Sequence, residues 1–257
     1  KMSRDRTKAF VMSLDSDNTI LTIPGIVYVY NVVGNFLEYE NSIQAANAAS
    51  EDYFGSSISV SDDINTLVIS APNADRSGFN NAGCVYVYLR DGINWILEQE
   101  IISPNPGLNY NFGYSVSVSA DGNTLIIGEP FSLGNAYVYT RTAGVWSLST
   151  TINSSTNSSG YNYGYYVDIT ADGSRAVVGN YFSQGNTNAV FVNNAGVWTE
   201  ESLLPTSSQF GNGFCVAIND AGNTIVIGSC YEDSLSAAAS LSGAIYIYER
   251  VGSTWTL

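Results

Sequence analysis

The 257-residue sequence predicts an all-β fold, a β-propeller of about five four-stranded antiparallel blades, and three observations lead there. One set of landmarks recurs along the chain in units of about fifty residues. Within each unit, apolar runs rich in β-branched and aromatic residues are bounded by Gly, Asn and Asp, which is how short strands and their turns are written. No segment carries the three-to-four-residue apolar spacing of an amphipathic helix.

The first strand and its turn give the clearest repeat. Phe54 to Thr66 and Phe112 to Thr124 match at most positions, and further copies run from Tyr163 to Arg175 and from Asn212 to Thr224. A worn fifth copy is read as ending at Asp15-Ser16-Asp17-Asn18-Thr19. Asp121-Gly122, Asp172-Gly173 and Ala221-Gly222 each place a glycine that tolerates positive φ between two apolar runs, so strands one and two form a tight antiparallel hairpin. Strand two follows as Leu67 to Pro72, Leu125 to Pro130, Ala176 to Asn180 and Ile225 to Ser229. Strand three is an aromatic alternation, at Ile26 to Tyr30, Cys84 to Tyr88, Ala136 to Tyr139, Ala189 to Val192 and Ala244 to Tyr248. A Gly-containing turn then leads to an aromatic that opens strand four: Phe36, Trp95, Trp146, Trp198 or Trp255. The resulting blades are 1–43, 44–102, 103–152, 153–204 and 205–257, in one domain. A sheet sandwiched between neighbours must be apolar on both faces, so the recurring Tyr and Trp residues are read as blade-to-blade packing. Five blades either close a ring or form part of a larger one, and Lys1 to Thr7 are placed to help close it.

Charge and composition bound the function. Nine Lys and Arg against 23 Asp and Glu give a net charge of −14, a field that repels phosphate backbones and anionic lipid, so neither nucleic acid nor membrane insertion is expected. The apolar runs are strand-sized, far short of the roughly 20 residues that cross a bilayer as a helix. The absence of histidine removes the commonest general base and the Ser/His and Cys/His dyads. Cys84, Cys215 and Cys230 lack zinc-site spacing, and Cys215 and Cys230 flank one hairpin at a distance marginal for a disulfide. The loop carboxylates Glu51, Asp52, Asp75, Glu129, Glu232 and Asp233 are the candidates for acid/base work, but no spacing selects a pair. The expectation is therefore that the chain is not an enzyme.

The ordered pattern of Phe-Gly, an alternating strand, Ser-x-Asp-Gly-Asn-Thr, Gly-x-Pro, Tyr-Val-Tyr and Trp resembles the FG-GAP repeat, the blade unit of the propeller in integrin α-chain heads. Phe54-Gly55 and Phe112-Gly113 keep the first element, with Tyr163-Gly164 and Asn212-Gly213 in the later copies. Ser70-Ala71-Pro72 and Gly128-Glu129-Pro130 keep the second. The resemblance implies a surface-exposed module for protein interaction or adhesion, placed extracellularly, on a cell surface or on a virion. Structural self-assembly and lectin-like glycan binding are the alternatives. Integrin-type blades often carry a calcium loop in the first hairpin. These turns are too short for one, Asp15 to Thr19 and Asp62-Asp63 being the nearest approaches, so no cofactor is expected.

In such a blade, the loops between strands two and three and between successive blades share one face. That face carries the length variation and the Asn, Ser, Gly and Tyr, a composition suited to recognition. The candidate binding residues there are Tyr110, Tyr161, Tyr231, Asp75, Glu232 and Asp233.

Overall fold

The computed structural model describes residues 1–13, 25–49, 51–131, 134–153, 155, 162–181, 188–205, 213–230 and 243–257. Every regular element among them is a strand. Sheet one contains β1 (Lys8–Ser13), β2 (Ile26–Val33) and β3 (Phe36–Ile43). Sheet two contains β4 (Ile58–Val60), β5 (Thr66–Ala71), β6 (Cys84–Asp91) and β7 (Asn94–Ile102). Sheet three contains β8 (Ser115–Val118), β9 (Thr124–Glu129), β10 (Asn135–Thr142) and β11 (Val145–Ile152). Sheet four contains β12 (Tyr163–Ile169), β13 (Arg175–Asn180), β14 (Asn188–Asn194) and β15 (Val197–Leu204). Sheet five contains β16 (Cys215–Ile218), β17 (Thr224–Ser229), β18 (Ala244–Val251) and β19 (Thr254–Thr256). All pairings are antiparallel, in sequence order.

Sheet one corrects two details of the sequence reading. β1 pairs with β2 so that Ala9 faces Tyr30, as Leu67 faces Tyr88 in sheet two. The first hairpin turn is therefore Ser3 to Lys8, eleven residues before the tract at Asp15 to Thr19, which lies outside the described residues. Arg6 takes the left-handed position, at φ 60°, that Gly122 holds at 69°, and the missing glycine hid the repeat. The other detail concerns strand four. Leu37, opposite Val32, occupies the register of Trp95 opposite Arg90, and the sequence had placed Phe36 there. The N-terminal residues extend this same sheet: Met2 bridges Ala9, and the Lys1 nitrogen donates to the Phe10 carbonyl at 2.8 Å. They do not add to sheet five.

The five turns share one hydrogen-bonded form. In sheet three, the Ser119 hydroxyl donates to Asp121 Oδ1 at 2.5 Å, the Asn123 N–H donates to the same oxygen at 3.0 Å, and the Thr124 N–H donates to Ser119 Oγ at 3.0 Å. Ser3/Asp5, Ser61/Asp63 and Thr170/Asp172 repeat it, and Asn219 replaces the hydroxyl in sheet five. These side chains satisfy turn groups that a two-residue loop would leave to water.

Glycines let the sheets meet. A Cβ on Gly128, in the Gly-x-Pro element of sheet three, would lie 2.0 Å from the carbonyl oxygen of Gly164, the second residue of the Phe-Gly element in sheet four. One on Gly164 would lie 2.2 Å from the Asn135 carbonyl oxygen. The two halves of the repeat signature are thus two sides of one backbone-to-backbone contact between consecutive sheets. Four apolar clusters fill the spaces between sheets one and two, two and three, three and four, and four and five. The recurring aromatics supply them: Phe54, Tyr86 and Tyr88 face Val27 and Val29, and Phe112, Tyr137 and Tyr139 face Val85 and Val87. A β-bulge at the same point of the fourth strand recurs in sheets one to four, with Glu40, Glu98, Ser149 and Glu201 as the extra residues, and sharpens the local twist.

The first strands and turns of all five sheets line one axial cavity of about 250 Å³, to which Met2, Ser59, Ser117, Asp168 and Ile218 contribute one side chain per sheet. Arg4 pairs with both Asp62 and Asp220, joining the turn of sheet one to those of sheets two and five.

Candidate aromatic site on the long-loop face

Strand one begins, and strand two ends, at the end of the propeller where the long loops emerge. Six aromatic side chains gather there from three sheets. Tyr114 precedes β8 and Phe131 follows β9; Tyr165 and Tyr166 lie in β12, and Tyr181 follows β13; Phe214 precedes β16. Tyr165 is the hub. Its ring stacks on Tyr181 at 4.7 Å and 25°, lies 4.6 Å from Tyr114, and contacts Phe131 and Phe214 at 6.1 and 6.2 Å. The Tyr114 hydroxyl donates to the Tyr165 hydroxyl at 2.7 Å. Phe131 and Phe214 are exposed, the four tyrosines half-buried, so the cluster is a continuous aromatic surface with hydroxyls at its margin. Burial raises the Tyr166 phenol above its ordinary range, which keeps it a neutral donor.

Sequence reasoning missed this cluster, although the signal was available. The residue after the glycine of the Phe-Gly element is Ser56 in sheet two but Tyr114, Tyr165 and Phe214 in the next three. Just beyond strand two stand Phe131, after Pro130, and then Tyr181. Because that first position repeats once per sheet, aromatics at one offset in consecutive units converge at the axis, and Phe131 and Tyr181, three and two residues after Gly128 and Gly179, join them from beyond the second strands.

Of the predicted binding residues, Tyr161, Tyr231, Glu232 and Asp233 lie outside the described residues. Asp75 is exposed in the loop before β6, and its Oδ1 accepts the Asn81 N–H at 2.9 Å, which shapes that loop. The loop is stitched to the connector leading to sheet three, since Asn81 Nδ2 donates to Asn109 Oδ1 at 2.8 Å and the Phe112 N–H to the Ala82 carbonyl at 2.9 Å. Tyr110 packs its ring on Gly107 and lines a cavity of about 500 Å³ with Asn105, Glu129, Asn135, Tyr137 and Asn153. The structure thus brings Tyr110 together with Glu129 and leaves Asp75 apart. Glu129 is fully buried at the cavity floor and accepts the Tyr137 hydroxyl at 3.0 Å.

Of the other candidate carboxylates, Glu51 is exposed and Asp52 is buried. Burial raises the Asp52 carboxyl, whose Oδ2 accepts the Ala49 N–H at 2.9 Å. Burial also pushes the Cys84 thiol up to about 12, far from a nucleophilic range. Cys215 and Cys230 are free thiols, because Cys215 lies opposite Gly228 in the ladder. No group of three or more Cys, Asp or Glu poised to hold a metal occurs among the described residues.

Residues 38–88, from β3 through β6, match the FG-GAP repeat family. The chain carries an FG-GAP repeat. No curated protein matches the sequence. Among solved structures, this chain is similar to a protein provisionally assigned as a 6-phosphogluconolactonase from Bacteroides uniformis, with 12% identity and a TM-score of 0.62 over 90% of this chain and 63% of that one. Hydrazine synthase from Kuenenia stuttgartiensis is 16% identical, with a TM-score of 0.61 over 96% and 61%. The β-propeller domain of Myceliophteria thermophila Cps50 (Swd1) is 9% identical, with a TM-score of 0.62 over 96% and 69%. At these identities the likeness shows the fold, a β-propeller, and the chain spans less than two thirds of the first two. The expectation that the chain is not an enzyme is corrected by the first neighbour. Its assignment attaches catalysis to this fold, and the lack of a His-based dyad says nothing about carboxylate chemistry on such a scaffold.

Proposed function

We propose that this FG-GAP propeller is a surface-exposed interaction module that binds a protein partner through its long-loop face, in an extracellular, cell-surface or virion-surface setting. The observation that carries the reading is the aromatic surface centred on Tyr165. Large, rigid rings with polar tips lose little conformational entropy on binding and dominate recognition surfaces. The stitched loop and connector around Asp75 and Asn109 hold the neighbouring rim in one shape, which lowers the ordering cost of an encounter. Tyr161, Tyr231, Glu232 and Asp233 join the reading through their place in the loops of the same face. The test is a partner pull-down from the surface proteins of the source organism, repeated with Tyr165→Ala and Phe214→Ala. Each substitution is expected to weaken capture at least tenfold while leaving the thermal unfolding profile cooperative; unchanged capture by both variants refutes the reading.

Glycan binding is a second reading, favoured by the cavity beneath Tyr110. An aromatic wall, three Asn side chains and a buried carboxylate suit a ring with hydroxyl groups on its edge and C–H groups on its face. Glycan-array binding that Tyr110→Ala removes and Tyr165→Ala preserves is its expected result.

A further inference from the structure

Two phenols of the aromatic cluster meet oxygen to oxygen. The Tyr114 and Tyr165 rings lie 4.6 Å apart at 47°, and the Tyr114 hydroxyl donates to the Tyr165 hydroxyl at 2.7 Å. Oxygens closer together than the ring centres mean that the rings converge at their phenolic ends. The ring carbons ortho to the two oxygens are therefore the carbons brought nearest. Other tyrosine contacts in the fold are built differently. Tyr28 and Tyr30 meet Tyr39 edge to face at 6.3 and 6.1 Å. The buried Tyr86 and Tyr137 give their hydroxyls to Asn47 and Glu129.

The backbone fixes the approach of the pair. Each of the two tyrosines follows the glycine of a Phe-Gly position, Gly113 in sheet three and Gly164 in sheet four. The Tyr114 N–H donates to the Gly128 carbonyl at 3.2 Å. Gly128 in turn abuts the Gly164 carbonyl oxygen, which an added Cβ would meet at 2.0 Å. One residue is thus the common neighbour of both backbones. Phe131 packs on both rings, 5.3 Å from Tyr114 and 6.1 Å from Tyr165. Groups held in one reactive geometry couple as though at very high concentration. Both phenols are half-buried rather than enclosed, and so open to a small oxidant.

We propose that Tyr114 and Tyr165 form an oxidative cross-linking site, joined as dityrosine by a one-electron oxidant such as a haem peroxidase working with hydrogen peroxide. Each phenol gives up one electron and one proton. The two phenoxyl radicals form a carbon–carbon bond between their ortho carbons, and the hydrogens on those carbons move to the two oxygens, restoring both phenols. Hydrogen peroxide takes up the two electrons and two protons and leaves as two waters. The link staples sheet three to sheet four and closes a loop of 51 residues. It requires no partner on the long-loop face, so it stands independently of what that face binds.

Oxidation of the full chain in dilute solution, with a haem peptide and limiting hydrogen peroxide, tests the site. The expected product is a monomer lighter by two hydrogen atoms, with the blue fluorescence of a biphenol. Its digest contains a linked peptide pair carrying Tyr114 and Tyr165. Tyr114→Phe and Tyr165→Phe keep the ring and remove the phenolic hydrogen, and each abolishes that product; either carries the test should the other fail to fold. Tyr166→Phe and Tyr181→Phe preserve it. Chain unfolded in denaturant before oxidation gives at least tenfold less of the pair. The linked monomer resists denaturant better than the unlinked chain, since the link restricts the unfolded state. A folded chain that forms no internal link, that links only to other molecules, or that joins Tyr165 to Tyr181 or any other pair overturns the proposal. Equal yields from folded and unfolded chain do the same, because the fold then plays no part in the coupling.

Discussion

Arg250 of sheet five reaches back across the sheet boundary and donates from Nη2 to Glu201 Oε1 of sheet four at 2.8 Å. The same carboxylate accepts Arg175 Nε at 3.1 Å and the Trp255 indole N–H at 3.1 Å. Two boundaries earlier in the series, Glu98 of sheet two accepts Arg141 at 2.6 Å and the Trp146 indole at 3.0 Å from sheet three. Trp146 and Trp255 thus each bring an apolar face for packing and an N–H for a carboxylate on the preceding sheet, whereas the indole N–H groups of Trp95 and Trp198 are buried without a partner. Glu201→Ala leaves two guanidinium groups and an indole N–H unpaired in a partly buried site. Chemical denaturation should show a loss of about 2–3 kcal/mol, and Glu98→Ala a similar loss.

Acid should weaken the propeller through its turns. Burial pulls Asp63, Asp121 and Asp172 upward, but donation by the turn hydroxyl and N–H groups outweighs it and holds all three below the ordinary Asp range. In Glu201, burial likewise loses to Arg175 and Trp255, and the carboxyl sits low. A depressed folded-state pKa contributes stability above the unfolded value, near 4, and that contribution disappears as pH falls through the folded value. Asp168 acts in the opposite sense, since burial raises it despite donations from the Ile218 N–H and the Ser117 hydroxyl. Asp5 is also held low and Asp52 raised, so five lowered carboxyls stand against two raised ones; the unfolding midpoint should drop steeply below about pH 4, and Asp121→Asn should flatten that fall in a thermal scan.

Backbone contact at Gly128 yields a sharper contrast. An alanine there meets the Gly164 carbonyl oxygen at 2.0 Å, so sheets three and four must separate. Gly92 has φ of +63° and nothing within 4 Å of an added Cβ. Gly92→Ala should cost about 1 kcal/mol from the left-handed backbone alone, and Gly128→Ala about 3 kcal/mol or more. Equal losses in denaturant melts would mean that the sheets do not meet at these glycines.

Thiol labelling distinguishes the cysteines. Cys215 is exposed and should react with a maleimide in the folded protein. Cys84, buried and with its thiol pushed up to about 12, should react only after unfolding.

Much of this architecture was legible because its signals are local. Asp-Gly between apolar runs marks the hairpins at Asp121 and Asp172, and the Tyr-Val-Tyr alternation marks the third strands. Where Arg6 or Ile64 takes the left-handed position without glycine, the signal is lost, and so the turn at Ser3 was misplaced. The aromatic site was less visible, since convergence of Tyr114, Tyr165 and Phe214 depends on how sheets are arranged around an axis. Tyr110 was singled out for exposure in a loop, and it instead packs half-buried against Gly107 and a cavity that contains Glu129. Reading one offset across successive repeats, rather than seeking exposed residues in each loop, is what reveals such a surface.

Among the described residues the four apolar clusters each join consecutive sheets, and this makes their apolar packing energetically a linear array. Cooperative loss of structure then spreads by nearest-neighbour coupling, and among the described residues sheets one and five each share one apolar cluster and are joined to each other by the Arg4–Asp220 ion pair. Sheets one and five should fray before sheets two to four, so amide exchange would report a gradient of protection with its summit at Val85 to Val138 and its slopes towards both ends.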